Sequence, residues 1–372
     1  MKRVFTSILI TAFILGSVFA IDYGGLVISD STLKQNGTQE FVFAEQVDAS
    51  AYLKVPFSQD GSTVLSTEFA YRFQYDNSQA SNFINLSLLK INHTRAVSDG
   101  QMTIAGGRYI MADGTGKIFN QTSDGLFASH QTSTMVGSMY FGYTGLVNSF
   151  FTSMNVAGVT GEYTRFKSDM YTSTLPYLVV GAEFALPNLF YQQNLSFGSW
   201  NFFGTQKLKS NKIYGTISLN GPLMENLYHN THAVLAGILG DRTTNFAGLA
   251  ASNLTYYFNY MGLAANAGLT YASKEFQTVT NISGLVTGES WSNLFVPTVS
   301  VSMLPLSALY VAAETNVALR ADGMKYEGIG LAAVASYQLF NDVAFSLNAN
   351  TFIAKEETAR QTKISLKAAI SF

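Results

Sequence analysis

The chain has 372 residues, of which 47% are hydrophobic and only 12% are charged, with a formal net charge of −2 and no cysteine. Soluble domains ordinarily carry roughly 25% charged residues, and disorder requires low hydrophobicity with high charge, so this composition excludes a disordered chain. The small net charge excludes nucleic acid as an electrostatic partner, and the absence of cysteine excludes disulfides, thiolate metal sites and cysteine nucleophiles.

The first twenty residues are predicted to be a secretory signal peptide. Lys2 and Arg3 precede the apolar run from Val4 to Leu15, and small residues lead to a cleavage site after Ala20. The alternative is an N-terminal membrane helix, but the run is shorter than the roughly 20 residues that span a bilayer. We therefore expect a mature chain of residues 21–372, folded as one domain beyond the inner membrane.

The rest of the chain shows the period-two alternation that is typical of β-strands. It is clearest at the end, where apolar residues occupy every second position from Ile364 to Phe372, while Lys363, Ser365 and Lys367 share the opposite face. In chain order, the predicted strands are roughly 22–29, 41–57, 62–76, 81–93, 100–111, 132–143, 153–167, 173–186, 190–203, 211–220, 230–240, 245–258, 261–273, 294–304, 307–320, 325–338, 343–354 and 361–372.

A closed membrane barrel explains this alternation better than a soluble sandwich does. The polar face consists mostly of Ser, Asn, Thr, Gln and Gly, which leaves too few charges to coat a soluble protein of this size. In a barrel, lipid covers the apolar face, water fills the interior, and closure leaves no unpaired edge. We therefore predict an all-β fold, a transmembrane antiparallel up-and-down β-barrel of about 16–18 strands with 18 favoured. Short connections lie on one side, and the long loops 30–40, 112–131 and 274–293 on the other.

The alternation also predicts which charged residues face the interior of the barrel. A ring of one sign would select ions, whereas a mixed set predicts weak selectivity at most. Structural ion pairs inside the barrel are the alternative for each of these residues. The predicted pore-lining residues are Asp48, Lys54, Glu68, Arg72, Glu314, Arg320, Lys363 and Lys367.

The segment Ile364–Phe372 resembles the C-terminal strand of bacterial outer-membrane β-barrels, in which a final aromatic residue follows alternating apolar residues. In that family, this residue is the signal read by the barrel-assembly machinery. The resemblance implies that Phe372 is the assembly signal. It further implies that the protein lies among the lipids of the outer membrane of a diderm bacterium.

A second resemblance concerns the stretch from Gly107-Arg108-Tyr109 to Asp124-Gly125-Leu126, which is similar to porins and related channels, including general porins and alginate-export-type channels. In general porins the corresponding loop folds into the pore and narrows it. The resemblance implies that loop 112–131 does the same. The alternative is an ordinary exposed loop. The implied constriction residues are Arg108, Asp113, Lys117 and Asp124.

The sequence as a whole predicts a porin, through which small polar solutes diffuse passively, either as a monomer or as a homotrimer. No cofactor, metal or enzymatic activity is expected. One alternative is an outer-membrane transporter of hydrophobic compounds, for which residues 21–39 folded inside the lumen as a plug would be evidence. The other is a structural or adhesive surface barrel.

Overall fold

The computed structural model describes residues 21–76, 79–144, 155–157, 163–165, 177–204, 211–239, 244–280 and 292–372. The predicted signal peptide lies outside this part of the chain. Among the described residues there is one short 3-10 turn, Glu357–Ala359, and no helix is long and apolar enough to cross a bilayer. The strands are β1 (Asp22–Asn36), β2 (Val42–Pro56), β3 (Thr63–Asp76), β4 (Gln79–Val97), β5 (Gly100–Ala112), β6 (Asn120–Thr132), β7 (Val136–Tyr143), β8 (Asn155–Ala157), β9 (Tyr163–Arg165), β10 (Tyr177–Leu186), β11 (Asn194–Gly204), β12 (Asn211–Met224), β13 (Leu227–Leu239), β14 (Thr244–Tyr257), β15 (Ala264–Ala272), β16 (Leu294–Leu306), β17 (Leu309–Arg320), β18 (Lys325–Phe340), β19 (Val343–Ala354) and β20 (Gln361–Ser371).

Within the described residues, 18 of these strands form one closed antiparallel barrel. Each strand pairs with the next along the chain, except that β7 pairs with β10, where Phe141 lies opposite Val180. The ring closes between the last strand and the first, where Ile364 of β20 lies opposite Leu33 of β1. Because every strand of the ring has two neighbours, no edge is left in contact with lipid. The prediction of a closed barrel with 18 strands is confirmed.

The predicted number of strands is right although one predicted strand and two predicted loops are wrong. The segment 153–167 is not a wall strand, because its described pieces, β8 and β9, pair with each other in a separate two-stranded sheet. The predicted long loop 112–131 is also wrong, because β6 occupies most of it and only 113–119 connects β5 to β6. β6 is hard to recognise because several of its outward positions, such as Thr122 and Asp124, are polar and weaken the alternation.

The two ends of the barrel differ in the length of their connections, as predicted for membrane barrels. The short-turn end holds the start of β1, the end of β20 and turns such as 98–99, 225–226 and 341–342. The long-loop end holds the connections 144–176 and 273–293.

The predicted long loop 30–40 is wrong, since β1 continues to Asn36. β1 pairs with β2 and β20 as part of the wall. Most of residues 21–39, the predicted plug of a hydrophobic-compound transporter, is therefore wall strand rather than plug.

The outer face of the barrel is apolar. Large hydrophobic side chains stand on it with most of their surface accessible: 82% for Phe246, 73% for Leu235 and 70% for Met139. In a bilayer, hydrocarbon covers such a face, and aromatic residues mark its boundary with water. Exposed aromatic residues at the short-turn end are Tyr23, Phe57, Phe190, Tyr191, Tyr257, Phe258, Tyr260, Phe340 and Phe372.

Candidate functional site

The interior of the barrel is divided into an apolar half and a polar half, whereas the sequence predicts a polar interior throughout. Inward-facing side chains at the long-loop ends of β10, β11 and β13, such as Val179, Trp200 and Val234, are fully buried. They are buried because two segments fold inward and cover them: residues 113–119, the first inner segment, and residues 273–280, the second inner segment. The apolar cluster so formed includes Tyr109, Met111, Ile118, Phe119, Tyr177, Val179, Trp200, Phe202, Tyr214, Val234, Leu249, Phe276, Val279 and Val296.

The first inner segment is shaped by the carboxylate of Asp113. Its Oδ1 accepts hydrogen bonds from the backbone N–H groups of Ile118, at 2.9 Å, and Phe119, at 2.7 Å. Its Oδ2 accepts one from the N–H of Thr115, at 3.0 Å, and another from the hydroxyl of the same residue. The carboxylate therefore satisfies three backbone donors of a tight turn. In this turn the side chains of Ile118 and Phe119 are fully buried in the apolar cluster.

Glu183 of β10 attaches the first inner segment to the wall. The N–H of Gly114 donates to Glu183 Oε1 at 2.5 Å, and the indole Nε1–H of Trp200 donates to the same oxygen at 3.0 Å. Trp200 lies directly against Gly181, where an added Cβ would come within 2.7 Å of the indole ring. A glycine at this position is thus what allows the indole to lie against β10 and to reach Glu183.

The two inner segments are hydrogen-bonded to each other. The backbone N–H of Val279 donates to the carbonyl oxygen of Ile118 at 2.8 Å, and the N–H of Asn120 donates to the hydroxyl of Thr280 at 3.1 Å. These bonds join residues that follow β5 to residues that follow β15. Together the segments narrow the interior at the long-loop end.

The wall holds the second inner segment as well. The hydroxyl of Tyr214 donates to the carbonyl oxygen of Gln277 at 2.8 Å, and the fully buried Lys212 donates from Nζ to the carbonyl oxygen of Thr278 at 3.5 Å. The Lys212 ammonium also lies 5.9 Å from the centre of the Tyr177 ring, within the range of a cation–π interaction. Both inner segments are therefore fixed parts of the barrel interior.

Ion pairs line the opposite, polar half of the interior. In the best-aligned pair, Arg72 Nε lies 2.6 Å from Asp48 Oδ1 and Arg72 Nη2 lies 3.0 Å from Asp48 Oδ2, which is bidentate geometry. The wall thus presents both signs of charge to the lumen rather than a ring of one sign. The other pairs are Asp30–Lys367 at 3.5 Å, Asp76–Lys34 at 3.8 Å, Asp22–Lys54 at 3.5 Å and Glu327–Arg320 at 2.8 Å.

The predicted pore-lining residues all lie on the inner face of the wall, on strands β2, β3, β17 and β20. The placement follows from the exposed apolar neighbours, such as Phe69, Leu347 and Leu366, that occupy the alternate, outer positions. Glu314 borders a recess of about 320 Å³ in this half of the interior. The role of these residues in permeation stays a prediction.

The structure does not bring the four predicted constriction residues together in the lumen. Arg108 and Asp124 form a bidentate pair across β5 and β6, at 2.8 and 2.7 Å. They share the face of the wall that carries the exposed Ile110 and Leu126, while Met111 on the alternate face enters the apolar cluster. Alternation therefore places Arg108, whose side chain is only 8% exposed, and Asp124 on the face opposite Met111. Their role as constriction residues stays a prediction.

Asp113 and Lys117, the other two, belong to the first inner segment. The Asp113 carboxylate accepts hydrogen bonds from the backbone of that segment. Burial lowers the pKa of the Lys117 ammonium from its usual value of 10.5, and the Asp113 carboxylate opposes this shift. Lys117 stays a predicted constriction residue.

The sequence prediction missed the residues that pack the apolar half. Glu183 carries a signal that could have been used, since it is an acid on the inward side of β10, in alternation with Tyr177 and Val179. The burial of Phe119 has no such signal, because it depends on a second inner segment that follows 160 residues later in the chain.

Comparisons with known proteins agree with this architecture. No protein-family model matches the sequence, and no curated protein matches it. Among solved structures, OpdL from Pseudomonas aeruginosa matches with a TM-score of 0.67 and 13% identity over 95% of this chain and 99% of that one. OccK2 (OpdF) from the same organism gives 0.64 and 12%, over 95% and 98%. The outer membrane protein OpdK gives 0.62 and 10%, over 94% and 98%. The chain has the fold of these proteins. The resemblance to outer-membrane barrels is thereby confirmed at the level of architecture.

Proposed function

We propose that this chain is a porin in the outer membrane of a diderm bacterium and that small polar solutes diffuse passively through it. The observation that carries the proposal is the contrast between the two faces of one closed wall. The apolar outer face fits hydrocarbon, and the exposed charges on the inner face fit a water-filled lumen, as expected for barrels of about 16–18 strands. OpdK has been solved with vanillate and OccK2 (OpdF) with glucuronate, which supports small organic solutes as the cargo.

Solutes would pass along the polar half of the interior. The inner segments occupy the apolar half and so restrict the cross-section. The mixed charges keep the remaining path hydrated and give only a weak preference between cations and anions. No covalent chemistry, metal or cofactor forms part of this mechanism, and the absence of enzymatic activity stays a prediction.

Planar-bilayer recording tests the proposal. The purified, folded protein is expected to insert with stepwise increases of current in potassium chloride, while the same preparation unfolded by heat gives no steps. A correctly folded barrel that inserts but carries no current would overturn the proposal, because a hydrated lumen conducts ions.

Replacing Arg72 by glutamine is expected to shift the channel toward cations. The change leaves the Asp48 carboxylate without its bidentate partner. One such charge is worth about 0.5 kcal/mol to an ion about 8 Å away in water, in opposite directions for potassium and chloride, so the ratio of their permeabilities should rise about fivefold. The reversal potential in a salt gradient measures this ratio. The double variant R72Q with D48N should return it to the starting value, and an unchanged ratio in R72Q would contradict a path beside this pair.

Deleting Phe372 is expected to lower the amount of folded barrel in the outer membrane. Its side chain is exposed on the outer face and its backbone closes the ring through Gly25, with Gly25 N–H to Phe372 O at 2.8 Å and the reverse bond at 3.1 Å. F372Y retains an aromatic end and should assemble normally. F372A should assemble poorly even though it keeps the backbone bonds. Normal assembly of F372A would contradict recognition of the aromatic side chain by the barrel-assembly machinery.

We also propose that this porin assembles as a homotrimer; the alternative is a monomer. Size-exclusion chromatography with light scattering in detergent distinguishes the two. A protein mass of one chain per particle would exclude the trimer.

A further inference from the structure

A recess in the polar half of the wall has the size and lining of a small-molecule site. Its volume is about 320 Å³, and ligand pockets usually measure about 300–1,000 Å³. It lies where β16–β19 face the lumen. On β16 it is nearer the short-turn end of the barrel than the residues of the apolar cluster are. The polar side chains that line it are Ser300, Ser302, Tyr310, Glu314, Asn348 and Asn350.

Two side chains of opposite charge stand on one row: Glu314 lines the recess, and Lys363 lies one strand beyond Asn350, next to the lining residues. Glu314 of β17 lies opposite Ala332, Ala332 lies opposite Asn350, and Asn350 lies opposite Lys363 of β20. The Cα atoms of Glu314 and Lys363 are therefore three strand spacings apart, or about 14 Å along the wall. Ala332 is small, so the space between the two charged side chains stays open.

Neither charge has an ion-pair partner among the described residues, in contrast to Arg72 and Lys367 on the neighbouring wall, which are paired. Both Glu314 and Lys363 are exposed to the lumen. Each is therefore available to a solute without first breaking a salt bridge. The amides of Asn348 and Asn350 lie in the same recess and can donate to and accept from the middle of a solute.

We propose that this recess is a binding subsite for zwitterionic solutes whose ammonium and carboxylate groups are separated by a short amide-containing chain, such as a dipeptide. The inference rests on the proposed channel function. Glu314 accepts hydrogen bonds from the ammonium group, Lys363 donates to the carboxylate, and the two asparagines contact the amide between them. A solute with only one charge uses only one of the two charged residues.

The experiment compares three probes by their block of the ion current: glycylglycine, N-acetylglycine and glycinamide. Wild-type channels should bind glycylglycine about fivefold more tightly than either single-charge probe, which is the scale of one exposed charge–charge contact. E314Q should lose the preference over N-acetylglycine, and K363Q should lose the preference over glycinamide. Calorimetry with the folded protein in detergent gives the same comparison without requiring a current.

A matched control is available in Glu68, another inner-face carboxylate with no ion pair among the described residues, located on β3 outside the recess. E68Q should keep the preference for glycylglycine. Equal affinity for all three probes in conducting wild-type channels, or a preference that survives both E314Q and K363Q, would overturn the subsite and leave the channel function standing. Silent channels overturn the channel function itself, and calorimetry then still decides whether the recess binds the dipeptide.

Discussion

Replacing Asp113 by alanine is expected to release the first inner segment and raise the single-channel conductance. The substitution removes the acceptor of the backbone N–H groups of Thr115, Ile118 and Phe119. Leaving one buried donor unsatisfied costs about 1–3 kcal/mol, so the loss at three donors is comparable to the stabilisation of about 1.5–3 kcal/mol that each of the buried side chains of Ile118 and Phe119 contributes. The segment should then leave the apolar cluster, and the widened lumen should conduct about twice as well or better. Planar-bilayer recording provides the measurement.

Asp60 provides the matched control at the other end of the barrel. Its Oδ1 accepts a hydrogen bond from the N–H of Ser62 at 3.0 Å, and hydrogen bonds from Ser58 and Ser62 lower the pKa of this exposed carboxyl to about 2. D60A removes a carboxylate that shapes a turn without touching either inner segment, so the conductance should stay unchanged. Unaltered conductance in folded D113A would show that the first inner segment does not restrict the path.

Replacing Trp200 by alanine is expected to lower the stability of the barrel by about 3–5 kcal/mol, the usual cost of truncating a large buried aromatic residue. The indole is fully buried, with ring centres 4.9 Å from Tyr140 and 6.0 Å from Phe119, and its N–H donates to Glu183. The cavity left by the indole would lie between the wall and the first inner segment, so both would lose packing contacts. Denaturant unfolding in detergent, followed by the change in gel mobility, measures the loss.

Two variants separate packing from the hydrogen bond in this test. W200F keeps a buried aromatic ring but loses the N–H donor and the pyrrole part of the indole, so it should be destabilised less than W200A, by about 1–3 kcal/mol. F246A removes an aromatic ring from the outer face, where 82% of the side chain is accessible, and should cost clearly less than W200A. Equal losses in W200A and F246A would argue against a packed apolar half.

The architecture could be predicted from the sequence because period-two alternation is a local property. β20 alone is enough to identify the two faces of the wall, because apolar Ile364 and Leu366 alternate with polar Lys363 and Lys367. The same logic places Asp48 and Arg72 on the inner wall. It fails for β6, where Asp124 is polar and nevertheless faces outward.

The division of the interior could not be predicted in this way. It depends on contacts between segments that are distant in sequence, such as the bond from Val279 to Ile118. Alternation correctly predicts that Val179 and Trp200 face inward. An apolar side chain that faces a water-filled lumen, however, does not fit the pattern expected of a porin wall. The explanation is that inner segments cover these residues, as burial of apolar surface requires.

Single introduced cysteines test the division of the lumen most directly, since the chain has no cysteine of its own. A charged, membrane-impermeant methanethiosulfonate reagent should reduce the current of N348C, whose side chain lines the recess in the polar half. The same reagent should leave V234C unchanged, because Val234 is fully buried in the apolar cluster. The opposite pattern, with block of V234C and none of N348C, would place the solute path in the apolar half of the barrel. It would contradict the division of the interior into an apolar and a polar half.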